Sequence, residues 1–338
     1  MTAHAPDVSF VIAAYNAADT IRDAVESALV QEGVAVEVLV VDDRSSDDTR
    51  EIVAAIADPR VRLIALEENR GPGGARNAGF EEARGRWIAV LDSDDTVRPG
   101  RLARLIGRAQ VAEAQIVVDN LDVVTANGLM TRMFPEEELA RHAFLTLPAF
   151  IESNILFRSQ HNFGYMKPVF ERRFLEEKHL RFDESLRIGE DYILLASALA
   201  QGGRCAVEPR AGYVYHIREG SISRVLKRHH VDAMIAADET FLREHTLEPE
   251  AASAQKRRSR SLREAQSFIT LVDHLKQRSL LGALKIAFRD PTALRHLRMP
   301  VAARLRRIVA PLARITAAAP GAAFESSTSG KGPHTSKG

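Results

Sequence analysis

Three carboxylates stand together in the stretch "RWIAVLDSDDTVRPGRL" (86–102): Asp92, Asp94 and Asp95, directly after an apolar run. Two carboxylates about 4 Å apart repel by roughly 4 kcal/mol at an effective dielectric of about 20. Water, a basic side chain or a bound cation must offset that repulsion. Hard oxygen ligands this close together suit Mg²⁺ or Mn²⁺, which commonly sit on one or two carboxylates plus substrate phosphates. The alternative is a solvated acidic turn, or caps for a helix starting near Arg101.

Four further clusters have chemistry-bearing residue types. "VLVVDDRSSDDT" (38–49) ends an apolar run on Asp42 and Asp43. A carboxylate there is a candidate acceptor for a uracil N–H or a ribose hydroxyl; Ser45, Ser46 and Asp47 read as turn and cap for the next helix. "NRGPGGARNAGF" (69–80) is glycine-rich, but Arg76 stands where G-x-G-x-x-G needs its third glycine, and no G-K-[ST] follows. Its backbone N–H groups and Arg76 are candidates for a diphosphate or the uridine near a helix N-terminus, with a plain turn as the alternative. "RIGEDYILLASALA" (187–200) places Glu190 and Asp191 at the start of an apolar helix. Capping is the default for such acids; facing a pocket, a carboxylate there would take a proton from a sugar hydroxyl. "YVYHIREGSIS" (213–223) offers His216, Arg218, Ser221 and Ser223, candidates for an anionic leaving group or its metal.

The elements that must position these groups alternate along the chain. "VSFVIAAYN" (8–16), "VEVLVV" (36–41), "VRLIAL" (61–66) and "WIAVL" (87–91) read as strands; 19–31 and 49–57 read as helices, and 71–84 as a loop running into a helix. Asp19 or Thr20 is the expected N-cap of the first helix. Such alternation indicates a largely parallel sheet covered on both faces. Ligands bind beyond the carboxyl ends of its strands, where Tyr15–Asn16, Asp42–Asp43 and Asp92–Asp95 all fall. After Pro99 the pattern gives a helix, a strand at "QIVVDNLDVV", a less regular stretch over 127–165, two helical patterns around Glu190–Asp191, and closing strands at "CAVEPRAGYVYHI".

The chain of 338 residues, 45% hydrophobic and 27% charged, has the make-up of an ordinary globular protein with ample core. The single cysteine, Cys205, excludes a disulfide scaffold and a cysteine-based zinc site, and fits a reducing cytoplasm. No run of 18 apolar residues suggests a spanning helix, and "MTAHAPDVSFVIAAYN" reads as a first strand rather than a signal peptide. The net charge of +1 hides an asymmetry. Residues 256–338 hold seventeen Lys/Arg against four acids, a net of +13, which leaves −12 for residues 1–255.

The motifs "VSFVIAAYN", "VVDDRSSDDT", "NRGPGGARNAGF", "VLDSDD" and "GEDY", in that order over residues 8–225, resemble the family 2 glycosyltransferases of the GT-A fold. The stretch "GYMKPVF…FLEEKHLRFDESLRIGEDYILL" looks most like the bacterial exopolysaccharide glucosyltransferases of the succinoglycan type. The resemblance implies an α/β, Rossmann-like, mostly parallel sheet flanked by helices. It also implies a metal-dependent, inverting hexosyltransferase using Mg²⁺ or Mn²⁺, a UDP-sugar donor (glucose favoured) and a saccharide acceptor, lipid-linked in exopolysaccharide synthesis. Ala14, Tyr15 and Asp43 would hold the uridine with Arg76 nearby. Asp94 and Asp95 would serve ribose and metal, one of them as direct ligand, and Asp191 would be the general base. Many members carry arginine where His216 stands, so both His216 and Arg218 remain candidates for the diphosphate.

The expected organisation is a catalytic domain over 1–225, with a nucleotide-sugar half to about 125 and an acceptor half over 126–225. A helical, basic extension follows over 226–318, then a disordered, Gly/Ser-rich tail over 319–338. Val301, Leu305, Ile308, Leu312 and Ile315 form one stripe at i, i+4, i+7, i+11 and i+14, with Arg304, Arg306, Arg307 and Arg314 off it. Such a helix suits an anionic membrane surface at the inner face of the cytoplasmic membrane, or docking on the acidic body. A phospho-acceptor receiver is rejected because the first lysine is Lys167, far too late. A sugar-nucleotidyltransferase lacks its basic, glycine-rich loop after the first strand. An inactive sugar-binding or scaffold subunit is disfavoured by the full acidic set. Nucleic-acid binding is disfavoured because the basic region lacks interleaved aromatics.

Overall fold

The computed structural model describes residues 5–158, 162–218 and 226–296. The stripe at 301–315, the tail over 319–338, and Ser221 and Ser223 lie outside the described residues. The first half runs β1 (Val8–Ala14), α1 (Ile21–Leu29), β2 (Val36–Asp42), α2 (Thr49–Ala54), β3 (Val61–Ala65), α3 (Gly71–Glu82) and β4 (Trp87–Asp92). Next come β5 (Thr96–Val97), α4 (Arg101–Val111), β6 (Ile116–Val124), β7 (Met130–Arg132), α5 (Glu136–Leu139), β8 (Phe144–Leu145) and α6 (Leu147–Ser153). Then follow β9 (Val169–Glu171), α7 (Arg172–Glu177), α8 (Glu190–Ala200) and β10 (Cys205–His216). Four helices complete the described chain: α9 (Arg228–Glu244), α10 (Pro249–Lys276), α11 (Leu280–Arg289) and α12 (Thr292–Arg295).

Among the described residues, ten strands form one sheet in the order β3-β2-β1-β4-β9-β6-β10-β5, with β7 on β6 and β8 on β10. The four strands β3, β2, β1 and β4 pair in parallel, as their largely apolar runs indicate. Beyond β4 the sheet is mixed rather than largely parallel. β9 runs antiparallel to both β4 and β6, while β6 and β10 are parallel. Two elements differ from the expected pattern for local reasons. The glycine-rich stretch is helical from Gly71, not a loop leading into a helix. Gly71 takes a φ of +76°, and a Cβ at Gly79 would overlap Val11 on β1, so this helix lies unusually close to the sheet. The closing strands expected at "CAVEPRAGYVYHI" are one long strand, β10, with register shifts between Glu208 and Ala211 and between Ala211 and Tyr213.

Two buried charge pairs brace the layers. Arg101 and Asp119 have fully buried side chains, 2.8 Å apart. Arg101 also donates to the carbonyl of Lys167 at 2.8 Å and lies over the Tyr213 ring, which ties α4, β6, β10 and the segment before β9 together. In the helical layer, Arg258 of α10 pairs with Asp238 of α9 at 3.2 Å, donates to the Asn154 carbonyl, and sits 3.5 Å over the ring of Tyr192 in α8. Gln255 closes this network by accepting from Tyr192 and donating to Asp238. Removing one partner of such a pair strands the other charge in the core. We therefore expect Arg101→Met to lower the unfolding free energy by about 3–5 kcal/mol in a denaturant titration. Adding Asp119→Leu should recover much of that loss; if the double variant is no better than the single, the pair is not what makes Arg101 matter.

Candidate active site

The turn after β1 and the turn after β2 are laced together. The N–H groups of Asn16, Ala17 and Ala18 donate to Ser45 Oγ, Thr49 Oγ1 and Asp47 Oδ2 at 2.9, 2.9 and 3.0 Å. Ser45 and Asp47 thus hold the loop ahead of α1, more than capping α2 as expected; only Asp47 Oδ1 turns back to Thr49. Thr20 is the N-cap residue of α1 but makes no side-chain cap bond. This lacing leaves Ala14 buried and Tyr15 54% exposed at the strand end.

Asp43 is buried, and its two carboxylate oxygens accept the N–H groups of Arg70 and Gly71 at 2.6 and 2.8 Å. The start of α3, read from sequence as an anion cradle, is therefore filled by the protein's own carboxylate. Burial raises the Asp43 carboxyl above its ordinary range, against the pull of those two N–H groups and of the Arg187 charge. Exposed Arg187 lies against Gly71 so closely that a Cβ there would overlap its guanidinium.

At the end of β4 the repulsion posed by the D-x-D-D step is answered by basic side chains. Arg76 of α3, 5% exposed, donates Nη2 to Asp92 at 2.7 Å and Nη1 to Glu190 and Asp191 at 2.8 and 3.1 Å. Lys167 Nζ lies 2.8 Å from both Asp92 and Asp191. Burial alone would disfavour both cations, but the carboxylates around them raise Arg76 and Lys167 above their ordinary values. Burial would raise Asp92 as well, yet Lys167 and Arg76 hold it well below the usual carboxylate range. Glu190 is raised, by burial and then by Asp191, with Arg76 opposing.

The other two acids of the step part company. Asp95 is 1% exposed; it accepts the Tyr213 hydroxyl and the His216 backbone N–H, each at 2.8 Å. Burial, then Asp92 and Asp94, push it well above the ordinary range. Asp95, expected to serve ribose or metal, fastens β10 to the turn with one hydrogen bond to each of its oxygens. Asp94 is half-buried and, among the described residues, forms no ion pair within hydrogen-bonding distance. Burial and Asp92 raise it, while Arg218 and Lys167 lower it. Half-buried His216 shares a hydrogen bond between Nε2 and Thr96 Oγ1 at 3.1 Å, and burial followed by the Arg218 charge lowers its pKa. Arg218 is exposed beside them.

Among the described residues, no group of three or more His, Cys, Asp or Glu is arranged as a metal cage. A cation held by one carboxylate and a substrate diphosphate needs no such cage, and half-buried Asp94 fits that mode. The site therefore joins Asp92, Glu190 and Asp191 through Arg76 and Lys167, with Asp94, His216 and Arg218 nearby. Arg76, expected beside the uridine, is instead the hub of the acids. Sequence reasoning gave no role to Lys167, Tyr213 or Arg187, and read Asp92 only as part of an acidic step suited to a cation. The available signal for Lys167 was its rarity, since no lysine precedes it.

Residues 9–174 match the family described as Glycosyl transferase family 2. The chain is 69% identical to the succinoglycan biosynthesis protein ExoO of Rhizobium meliloti (strain 1021), over 98% of this chain and 97% of that protein. It is 28% identical, over 64% of this chain and 79% of the other, to WfgD of Escherichia coli, described as a UDP-Glc:alpha-D-GlcNAc-diphosphoundecaprenol beta-1,3-glucosyltransferase. Among solved structures, S. aureus TarS 1-349 in complex with UDP-GlcNAc superposes with a TM-score of 0.60 at 18% identity, over 84% of this chain and 91% of that one. The fold is thus the GT-A fold.

The shared cations give the site a pH signature. Asp92 is depressed in the folded state, so its pairing stabilises the fold above the ordinary carboxylate pKa of about 4, and that contribution fades as pH falls toward the depressed value. Lys167→Met should lower the unfolding free energy at pH 7 by about 3 kcal/mol, and the gap to wild type should narrow as pH drops below about 4. A gap constant from pH 7 to pH 3 would show that Lys167 does not hold Asp92 by charge.

Proposed function

This chain belongs to glycosyl transferase family 2, and on that premise we propose that it moves glucose from UDP-glucose to a hydroxyl of a lipid-linked saccharide, inverting the anomeric carbon, in succinoglycan-type exopolysaccharide synthesis. The observation that carries the reading is Arg76 bridging Asp92, Glu190 and Asp191, which brings the end of β4 and the start of α8 to one point. The identity to ExoO supports the pathway, and the likeness to WfgD supports the donor and the lipid-linked acceptor. A lipid-linked acceptor would place the enzyme at the inner face of the cytoplasmic membrane.

The acceptor hydroxyl is a weak nucleophile until a base takes its proton. Asp191, with a 23% exposed side chain, is that base. Its orientation is fixed because Oδ1 faces Arg76 and Oδ2 faces Lys167. When Asp191 gains the proton, Lys167 retains Asp92, and Arg76 retains Asp92 and Glu190, so neither buried cation is stranded. Ala14, Tyr15 and Asp43, at the ends of β1 and β2, line the uridine side. Arg218 and His216 meet the diphosphate as negative charge grows on it. A bound Mg²⁺ or Mn²⁺, held by Asp94, would supply further positive charge to that leaving group.

Incubating the protein with a panel of nucleotide-sugars and Mn²⁺, and following UDP release, tests the class and the donor together; release only from another sugar nucleotide would overturn the donor. Asp191→Asn should keep UDP-glucose affinity within about twofold and cut transfer by about 10³-fold; retained turnover would remove Asp191 from the role of base. EDTA should abolish transfer and Mn²⁺ or Mg²⁺ restore it, whereas full activity in chelator would refute the metal.

A further inference from the structure

We propose that α11 is a docking surface for an anionic lipid bilayer. Leu281, Leu284 and Phe288 stand at i, i+3 and i+7 on this helix and are 85%, 54% and 83% exposed. Leu280 beside them is 69% exposed. The helix is nevertheless anchored: Ala283 and Ile286 pack with Ala293 of α12 against Leu271 and Phe268 of α10. The apolar stripe is thus turned outward by a packed inner face, and such a stripe marks an interaction site.

Charge selects what covers it. Residues 275–296 hold Lys276, Arg278, Lys285, Arg289 and Arg295 against one acid, Asp290. Asp290 is engaged locally, accepting the N–H and hydroxyl of Thr292 at the start of α12. Residues 297–338 carry seven Lys/Arg and one acid, Glu325. Folding that segment over α11, or laying a second copy face to face on it, would bring cationic groups onto a cationic rim. A surface of anionic headgroups over hydrocarbon satisfies stripe and rim together. No described helix is long and apolar enough to cross a membrane, so the contact is one of lying on the bilayer. The surface rests on the proposed function only for its purpose, since a lipid-linked acceptor is reached from there.

Flotation of the full-length protein with phosphatidylglycerol/phosphatidylcholine vesicles tests this, with phosphatidylcholine vesicles alone as the neutral arm. Wild type should float with the anionic vesicles and far less with the neutral ones. Leu281→Gln/Leu284→Gln/Phe288→Gln and, separately, Lys285→Glu/Arg289→Glu should each lower the bound fraction by about tenfold, with UDP release and thermal unfolding unchanged. Wild type that binds neither vesicle overturns the proposal. So do variants that bind like wild type, which would leave the attachment to residues 297–338. A wild-type dimer that the triple substitution turns into a monomer, with vesicle binding unaltered, identifies a second copy as the occupant and also overturns it. Absence of UDP release from any sugar nucleotide sinks the transferase reading while leaving the vesicle result to stand by itself.

Discussion

Five charged side chains in mutual contact set the terms for everything at the carboxyl edge of the sheet. Arg76 reaches three carboxylates and Lys167 reaches two, all within 3.1 Å and all largely shielded from water. An unpaired charge in such a place costs several kcal/mol. The contacts close only if four chain segments arrive together: the end of β4, the middle of α3, the start of α8 and the turn before β9. The two cations therefore fasten the parallel half of the sheet to the mixed half.

Sharing has a chemical consequence that a simple ion pair would lack. In a one-to-one pair, protonating the carboxylate strands the cation, which opposes proton uptake. Here Asp92 touches both cations, and Glu190 touches Arg76, so each buried cation has more than one carboxylate partner. Asp95 solves a different problem with the same residue type. Held by Tyr213 and the His216 amide, it fixes the course of β10 and so the places of His216 and Arg218. Adjacent aspartates thus divide into a partner of cations, a half-buried carboxylate and a brace.

The parts of this arrangement that were legible in the sequence are those with a period or a motif. The runs at Val8, Val36, Val61 and Trp87 became the four parallel strands in place, because they are short, mostly apolar and rich in β-branched residues. The clusters at Asp43, Asp92–Asp95 and Glu190–Asp191 were legible as ends of elements. Contacts between segments distant in the chain were not. Nothing near residue 76 signals acids at 190 and 191, so Arg76 was assigned to the uridine. β9 is three residues long and blends into the helical pattern after it, which hid its insertion between β4 and β6. A lone Lys167 has no spacing to read, and the Asp43 carboxylate filling the start of α3 is a tertiary choice that a glycine-rich motif does not encode.

The basic carboxyl-terminal region, a single feature by charge count, divides into two by structure. Arg258 is buried among Asp238, Gln255 and Tyr192, and Arg257 pairs with Glu152 at 2.7 Å. Arg258 faces inward onto the acidic body, and through Tyr192 it keys α10 to the helix whose first residues are Glu190 and Asp191. Lys276, Arg278, Lys285 and Arg289 face water beside exposed leucines and Phe288. Docking on the catalytic body and meeting an external anionic surface are therefore not alternatives for this region: α10 does the first, which leaves α11 presented on a fixed base for the second. A perturbation of α11 should then stay local, whereas one at Arg258 would be felt at the start of α8, since the Arg258–Tyr192 contact is one residue away from Asp191 in the same helix.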